Sequence, residues 1–232
     1  MGFFYFPSST IIPSMVEKLG QLFGSEAKVK IMRLFLLNQT QPFDVADISL
    51  RARVTQASCR SEMRDLVKAG FVKQKNYVKH TEVMRKRGRK KVAVHVAKKT
   101  GGWIFDEGFE YREALQNLLL DTEFLTPNDL AKRFKRAGKI KLLLAAGVFR
   151  KEEDSRLDIL LVGDNLKRGV VEKTIRVLEA EIGKELAYAV FETPEFLYRA
   201  NMYDKLIRDV IDFPHDQIID QGVLSQVPKN IA

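Results

Sequence analysis

The sequence predicts an α+β protein with two domains, and three observations support this. The chain has 232 residues, which exceeds the usual size of one domain, roughly 100 to 200 residues. Its first half has the pattern of helices followed by a pair of strands, whereas its second half alternates helices with strands. Its charge is also uneven, since residues 1–110 carry 20 Lys and Arg against 10 Asp and Glu, and residues 111–232 carry 19 against 20.

Composition excludes several classes of protein. With 45% hydrophobic and 30% charged residues, the chain resembles an ordinary globular protein. Its longest apolar and glycine run, 142–149, has 8 residues, far fewer than the roughly 20 that span a bilayer, so no membrane association is expected. The single cysteine, Cys59, cannot form an internal disulfide, which favours a cytoplasmic location.

The first half predicts three helices, each beginning after a polar residue that can cap its first turn. The predicted helices run from Ser25 to about Asn38, from Asp44 to about Arg51, and from Thr55 through Lys68. Apolar residues recur in them at helical spacing and are expected in the core: Val29, Met32, Leu34, Phe35, Leu36, Val45, Ile48, Leu50, Cys59, Met63, Leu66 and Val67.

A basic hairpin is predicted next. Two strand-like runs, 71–79 and 91–97, flank the sequence MRKRGRKK, in which Gly88 would let the chain turn. Between Lys73 and Lys91 there are 9 cations and only Glu82 as an anion, a net charge of +8. A solvated surface is the common explanation of such a run. In a chain that is otherwise balanced, however, it favours binding of a polyanion, and nucleic acid rather than membrane because no apolar face accompanies it.

The segment 55–72, TQASCRSEMRDLVKAGFV, resembles the recognition helix and following strand of arsenic-repressor-like winged helix-turn-helix regulators. The shared pattern is a capping Thr, a small polar cluster, spaced apolar residues, and Ala-Gly before two apolar residues. The resemblance covers about 15–100, and the basic hairpin takes the place of the wing. It implies that the second helix of the motif enters the major groove of double-stranded DNA and that the wing follows the backbone or minor groove.

The spacing of the polar residues supports the same assignment. Arg60 and Arg64 are four residues apart and share a helical face, with Gln56 one turn earlier. We expect this face to read base edges through Gln56, Ser58, Arg60, Ser61 and Arg64; the alternative is ordinary solvent exposure. We expect the wing to contact phosphates, which position a protein without reading sequence, through Lys79, Arg85, Lys86, Arg87, Arg89, Lys90 and Lys91.

Neither a metal site nor another cofactor is expected. Metal-sensing relatives of this fold need paired thiolates or clustered imidazoles. In this chain Cys59 takes an inward helical position, and His80, His95 and His215 are far apart in the sequence.

A helical stretch at 111–122 joins the two halves. It places Tyr111, Leu115, Leu118 and Leu119 on one side. A terminal helix often completes the dimer in arsenic-repressor-like proteins, which would give a homodimer on a palindromic site. The alternative is that the same stripe packs on its own domain.

The second half predicts a small α/β domain. Helices are expected at about 127–137, 166–182 and 194–212, and strands at 140–145, 157–162 and 186–191. The segment AAGVFRKEEDSRLDILLVGDNL then resembles the core of the minimal nucleotidyltransferase domain of the DNA polymerase beta-like superfamily. That core has a Gly-Ser turn after a strand, then Asp-x-Asp, an apolar run and Gly. The resemblance covers about 124–220.

The catalytic pattern of that superfamily is incomplete in this chain. The superfamily uses carboxylates to hold two divalent metals roughly 4 Å apart. Asp158 takes the second acidic position, but the first falls on Arg156, and the Gly-Ser turn becomes Gly147-Val148. Arg156 and Asp158, two apart on a strand, are expected to share a face and to pair. We therefore expect Gly147, Val148, Arg156 and Asp158 to form a vestigial nucleotide site without catalytic residues.

The resulting hypothesis is a DNA-binding transcriptional regulator whose second domain is catalytically inactive and binds a nucleotide or protein ligand or assembles the protein. Two alternatives stay open: a nucleotidyltransferase acting on a protein or small molecule, and an antitoxin-like interaction protein. The predicted boundaries are an N-terminal arm at 1–14, with Met15 as an alternative start, a winged helix domain at 15–106, a connecting helix at 107–123, a nucleotidyltransferase-like domain at 124–222 and a tail at 223–232.

Overall fold

The fold is α+β, as predicted, with a two-stranded sheet and a four-stranded sheet. The computed structural model describes residues 15–87, 90–120, 126–150, 152 and 155–228. The predicted N-terminal arm, 1–14, lies outside them. No helix in these ranges combines the length and apolar character that crossing a bilayer requires.

Four helices form most of the first half. They are α1 (Met15–Phe23), α2 (Glu26–Leu37), α3 (Val45–Arg51) and α4 (Gln56–Lys68). The three predicted caps are confirmed, because the side chains of Ser25, Asp44 and Thr55 each accept a hydrogen bond from the backbone N–H three residues on. These caps fix the start of α2, α3 and α4, and the buried side of α2 forms the centre of the first core.

Two residues predicted in this core lie at its surface. Leu50 is 78% exposed, because it is two residues from the buried Ile48 and therefore about 200° away around α3. Val67 is 37% exposed, since Cys59, Met63 and Leu66 complete the buried stripe of α4 and leave Val67 at its edge.

The hairpin is longer than predicted. Its strands, β1 (Val72–Arg87) and β2 (Lys90–Phe105), have 16 residues each, and a strand of this length spans about 50 Å. Pairing begins between Val72 and Phe105 and continues to Arg87 and Lys90. The basic sequence MRKR predicts a loop, but these residues belong to β1. A two-stranded ribbon can carry charged side chains because neither of its faces has to be buried. Among the hairpin side chains that the structure describes, those packed into the first core lie at its base, with Val72 and Phe105.

The connecting stretch contains α5 (Arg112–Leu120). Leu119 is fully buried in the first core, and Leu115 packs against that core. For these two residues this supports the alternative to a dimer contact, in which α5 packs on its own half of the chain. Tyr111 and Leu118, predicted on the same side, are 64% and 39% exposed.

The second half forms the four-stranded sheet with helices around it. Its elements are α6 (Pro127–Phe134), β3 (Lys139–Ala145), β4 (Ile159–Asp164), α7 (Arg168–Ile182), β5 (Tyr188–Glu192), α8 (Thr193–Asn201), α9 (Lys205–Asp212) and β6 (Asp216–Asp220). The strand order is β5-β4-β3-β6. Strands β4 and β5 are parallel and joined by α7, whereas β3 is antiparallel to β4 and β6.

Three features of this half differ from the prediction. The helix expected at 194–212 is divided into α8 and α9, because Tyr203 has a φ of +56° and Asp204 caps a new helix. Strand β6 is not predicted, since its DQIID sequence is short and has only two apolar residues. The predicted tail begins at 223, but Val223 and Val227 are buried against the sheet, so the chain through 228 packs with this half.

The two halves are joined by a buried contact between α2 and α7. Arg33 on α2 is 1% exposed. It donates from Nε to the carbonyl of Leu119 at 3.0 Å and from Nη1 to the carbonyl of Glu181 at 2.8 Å. Burial lowers the pKa of Arg33 to about 10, against the opposing effect of Glu181, so the guanidinium is still charged at neutral pH.

The end of α7 fits closely against α2. Asn38 Nδ2 donates to the Gly183 carbonyl at 2.9 Å. Gly183 has a φ of +94°, and a Cβ there would lie 2.7 Å from backbone atoms of Arg33 and Leu34. Glycine is therefore required at this position both for its conformation and for the close approach of the two segments. We call the contacts of Arg33, Asn38 and Gly183 the α2–α7 junction.

Candidate nucleic-acid interface

Helix α4 presents a polar face to solvent. Cys59, Met63 and Leu66 are buried on its other side. Of the residues predicted to read bases, Gln56, Arg60, Ser61 and Arg64 are exposed and Ser58 is partly exposed. Arg60 Nη2 donates to Gln56 Oε1 at 3.2 Å, which aligns an amide and a guanidinium along one face. The structure therefore places all five on a solvent-accessible surface, which we call the recognition face.

Cys59 lies beneath this face and takes no part in it. Its side chain is fully buried, and burial raises the pKa of its thiol to about 11, against a lowering effect of Arg60. The thiol is therefore protonated at neutral pH and behaves as a small core residue.

The predicted phosphate-binding residues of the hairpin are only partly within the described structure. Arg85, Lys86, Arg87, Lys90 and Lys91 lie on paired strands, but their side chains fall outside the described residues, as do Gly88 and Arg89 entirely. Nearer the base, Lys75, Lys98 and Lys99 are exposed. The sequence does not predict Lys98 and Lys99 as site residues, because its strand pattern ends at 97.

Lys79, which the sequence predicts as a phosphate contact, forms ion pairs within the first half. Its ammonium lies 2.8 Å from Asp44 Oδ2 and 2.7 Å from Asp47 Oδ1. Tyr77 also donates to Asp47 at 3.2 Å. Strand β1 therefore crosses the beginning of α3, and Lys79 is neutralised by two carboxylates of the same half.

The pKa values in this network follow from burial and pairing. Burial alone would raise the pKa of Asp44 and lower that of Lys79, but their mutual hydrogen bond and those to neighbouring groups outweigh it, so the pKa of Asp44 is lowered and that of Lys79 raised. Burial, then the charges of Asp47 and Asp44, raise the pKa of Tyr77 to about 12. All three groups thus keep their ordinary charge states at neutral pH, and the network anchors the hairpin to α3.

In the second half, Asp158 is held by the backbone. It is 8% exposed, and its two oxygens accept hydrogen bonds from the backbone N–H groups of Val148 and Ala187, each at 2.8 Å. Gly147, with a φ of +51°, comes so close that a Cβ would lie 2.3 Å from Asp158 Oδ1. Gly147, Val148 and Asp158 are therefore together, as predicted, but the carboxylate closes a turn.

The predicted pairing of Arg156 with Asp158 is wrong. Arg156 Nε lies 2.8 Å from Asp209 Oδ2, and the side chain of Arg156 is 53% exposed. The reason is that β4 begins at Ile159, so the alternation of side chains along a strand does not apply to residues 156 and 158.

Within the described ranges, no group of three His, Cys, Asp or Glu side chains has an arrangement that could hold a metal ion. The chain matches no protein-family model, no curated protein and no solved structure.

Proposed function

We propose that the protein is a transcriptional regulator that binds double-stranded DNA in a sequence-dependent way. Residues 15–106 act as a winged helix domain, with α3 and α4 as its helix-turn-helix and the β1–β2 hairpin as its wing. The observation that carries the proposal is the recognition face, on which Gln56, Arg60 and Arg64 project long polar side chains from a helix whose other side is buried. Side chains of these types form bidentate hydrogen bonds with guanine and adenine in the major groove.

The charge distribution supports the same function. The first half has a net charge of +10, from 20 Lys and Arg against 10 Asp and Glu. Phosphate contacts supply most of the sequence-independent affinity of DNA-binding proteins. The hairpin, which carries much of this charge, is separated from the end of α4 only by residues 69–71. Base reading and phosphate binding are thus provided by consecutive elements.

Arg60→Ala or Arg64→Ala should lower the preference for the cognate sequence over random DNA. A bidentate contact to a base discriminates by about 1 to 3 kcal/mol, so the preference should fall by roughly 5- to 150-fold at 25 °C. Selection from random duplexes with the unmodified protein supplies the cognate sequence, and competition binding then measures the preference. Arg136→Ala, which removes an exposed arginine of the second half, is the matched control.

Two results would contradict this proposal. If selection enriches no sequence, the protein does not read DNA. If Arg60→Ala and Arg64→Ala weaken cognate and random DNA equally, both arginines contact phosphates and the recognition face does not determine specificity.

We also propose that the second half, 124–222, is a nucleotidyltransferase-like domain without catalytic activity. The support is that Asp158, the acidic residue in the matching position, uses both oxygens for backbone hydrogen bonds. Each oxygen keeps a second lone pair, but the side chain is 8% exposed, so little of the carboxylate is open to an ion. The role of Asp158 is therefore to hold the turn at Gly147–Phe149 against the beginning of β5.

Asp158→Ala should reduce stability without removing an activity. Two partly buried backbone hydrogen bonds would be lost. Each contributes about 0.5 to 1.5 kcal/mol, so the free energy of unfolding in urea should fall by roughly 1 to 3 kcal/mol. Asp164→Ala, at the other end of β4, should have little effect.

Incubation of the unmodified protein with labelled nucleoside triphosphates, Mg²⁺ and cell extract should give no labelled product. Label transfer that Asp158→Ala abolishes would contradict this role.

A further inference from the structure

A cleft of about 800 Å³ separates the α3–α4 turn from the end of α7. Residues of both halves line it, among them Arg51, Arg53, Gln56, Arg176, Lys184 and Glu185. Gln56 belongs both to the cleft and to the recognition face. A molecule that occupies the recognition face therefore lies beside this cleft, which we call the α4–α7 cleft.

The charges that the α4–α7 cleft presents to solvent are mainly positive. Its two acidic residues have partners within the protein, since Glu185 pairs with Arg51 and Glu179 accepts the Leu186 N–H at 3.0 Å. Arg53, Arg176 and Lys184 are all exposed. Among the described residues, Arg176 has only a long ion pair, 3.7 Å, with the exposed Glu172. An anion entering the cleft would therefore meet cations on both walls.

Hydrogen bonds at the end of α7 offset the repulsion that its backbone dipole exerts on an anion. The carbonyl end of a helix carries partial negative charge and repels anions. In this helix the carbonyls of Glu181 and Gly183 accept hydrogen bonds from Arg33 and Asn38 on α2. Two carbonyls at the negative end of α7 are thus hydrogen-bonded in the α2–α7 junction, and the exposed Lys184 follows Gly183 in the lining of the cleft.

Arg53 provides the cation of the opposite wall. It lies in the turn between α3 and α4 with a φ of +52°, a left-handed conformation that residues with a Cβ seldom adopt. In this turn the side chain of Arg53 is exposed to solvent. In helix-turn-helix proteins the first helix crosses the DNA backbone while the second enters the groove, so this turn is where the backbone is expected to pass.

We propose that the α4–α7 cleft receives the phosphate backbone of one DNA strand, so that the second half of the chain forms part of the DNA interface. This contact rests on the proposed DNA-binding function. Arg53 contacts the strand from one wall, and Arg176 and Lys184 contact it from the other. The major groove is about 12 Å wide, so a helix lying in it has a backbone strand close to its ends. The α2–α7 junction, together with contacts between α3 and α7, places α7 across the cleft from the α3–α4 turn.

The test is the salt dependence of DNA binding by the double variant Arg176→Gln, Lys184→Gln. Each lost phosphate contact lowers the slope of log affinity against log salt by about 0.9. The slope should therefore fall by about 1.8 per protomer, and affinity at about 100 mM salt should drop at least roughly ten-fold, equally on cognate and random duplexes. The control, Lys173→Gln, Lys205→Gln, removes the same charge from exposed residues of α7 and α9 that do not line the cleft.

A second measurement locates the contact directly. The chain has one cysteine, Cys59, which is buried, so Lys184→Cys can be labelled selectively with an iron-chelate reagent that cleaves nearby DNA. Cleavage should occur on one strand beside the bases that the recognition face reads. The same label at Lys205→Cys should give no localised cleavage.

The outcomes distinguish this proposal from the proposed function. If the cleft variant has the same salt slope as the control and no local cleavage occurs, the cleft does not receive DNA, while loss of specificity in Arg60→Ala would still support DNA reading. If the unmodified protein does not bind DNA, the proposed function itself fails. If the cleft variant binds DNA normally but loses saturable binding of inorganic pyrophosphate that the control retains, the cleft is a small-anion site and the DNA assignment is overturned.

Discussion

Replacing Arg85, Arg87 and Arg89 together by Gln should weaken binding to every DNA sequence and flatten its dependence on salt. A protein that contacts about 6 to 10 phosphates loses roughly 10³- to 10⁵-fold in affinity between 50 and 200 mM salt. Removing three of these contacts from each protomer should lower the salt slope by about 2.7 per protomer, since each contact contributes about 0.9. The preference for cognate over random DNA should change little, because phosphate contacts carry no direct sequence information.

Fluorescence anisotropy titrations at several salt concentrations, on cognate and random duplexes, measure both quantities. The matched control replaces Lys132, Lys135 and Arg136 by Gln, three exposed cations of the second half. The control removes the same total charge and therefore corrects for long-range attraction. An unchanged slope in the hairpin variant would remove these three arginines from the DNA interface and leave α4 and the α3–α4 turn as the proposed contacts of the first half.

The features that the sequence predicts well depend on residues that are close together in the chain. Ser25, Asp44 and Thr55 cap helices through N–H groups three residues away, so the pattern that specifies each cap is complete within one turn. The recognition face follows in the same way from the helical period, since Cys59, Met63 and Leu66 fix the buried side of α4 and hence its exposed side.

The features that the sequence does not predict depend on contacts between distant segments. In the sequence Lys79 belongs to a basic run, but its carboxylate partner Asp44 is 35 residues earlier. The sequence pattern also leaves Asp158 available to a metal or to Arg156, but one of its backbone donors, Ala187, is 29 residues later. Neither pairing leaves a pattern within a single helix or strand, so periodicity and capping rules cannot detect them.

The α4–α7 cleft brings together residues that are even farther apart in the sequence. Arg53 and Arg176 belong to different halves of the chain, and their approach is fixed by the junction in which Arg33 on α2 bonds to a carbonyl 148 residues away. A sequence pattern within one half describes only that half, so it cannot predict that the two arginines line the same cleft. The excess of basic charge lies in the first half, but the second half also contributes cations to the surface beside α4.

Arg33→Met should lower the free energy of unfolding by about 2 to 6 kcal/mol, since each of two carbonyl acceptors left without a donor costs about 1 to 3 kcal/mol. The side chain is 1% exposed, and its removal leaves the carbonyls of Leu119 and Glu181, at the ends of α5 and α7, without their donor. Methionine keeps the apolar length of the side chain, so the loss should reflect the hydrogen bonds rather than a cavity.

Urea unfolding, monitored by two probes, measures both the loss of stability and the coupling of the two halves through the α2–α7 junction. The single Trp, Trp103, packs against the core of the first half, so its fluorescence reports that half, whereas far-ultraviolet circular dichroism reports both. The two transitions should coincide in the unmodified protein and separate in Arg33→Met, because the halves then lose their shared buried contact.

Arg133→Met is the control for this experiment, because Arg133 forms a half-buried ion pair with the same residue, Glu181, but within the second half. It should cost about 1 kcal/mol and leave the transitions together. Coincident transitions in Arg33→Met, at an unchanged urea midpoint, would show that Arg33 does not couple the halves. The position of α7 beside α4, on which the α4–α7 cleft depends, would then have to be maintained by the remaining contacts between α2 and α7 alone.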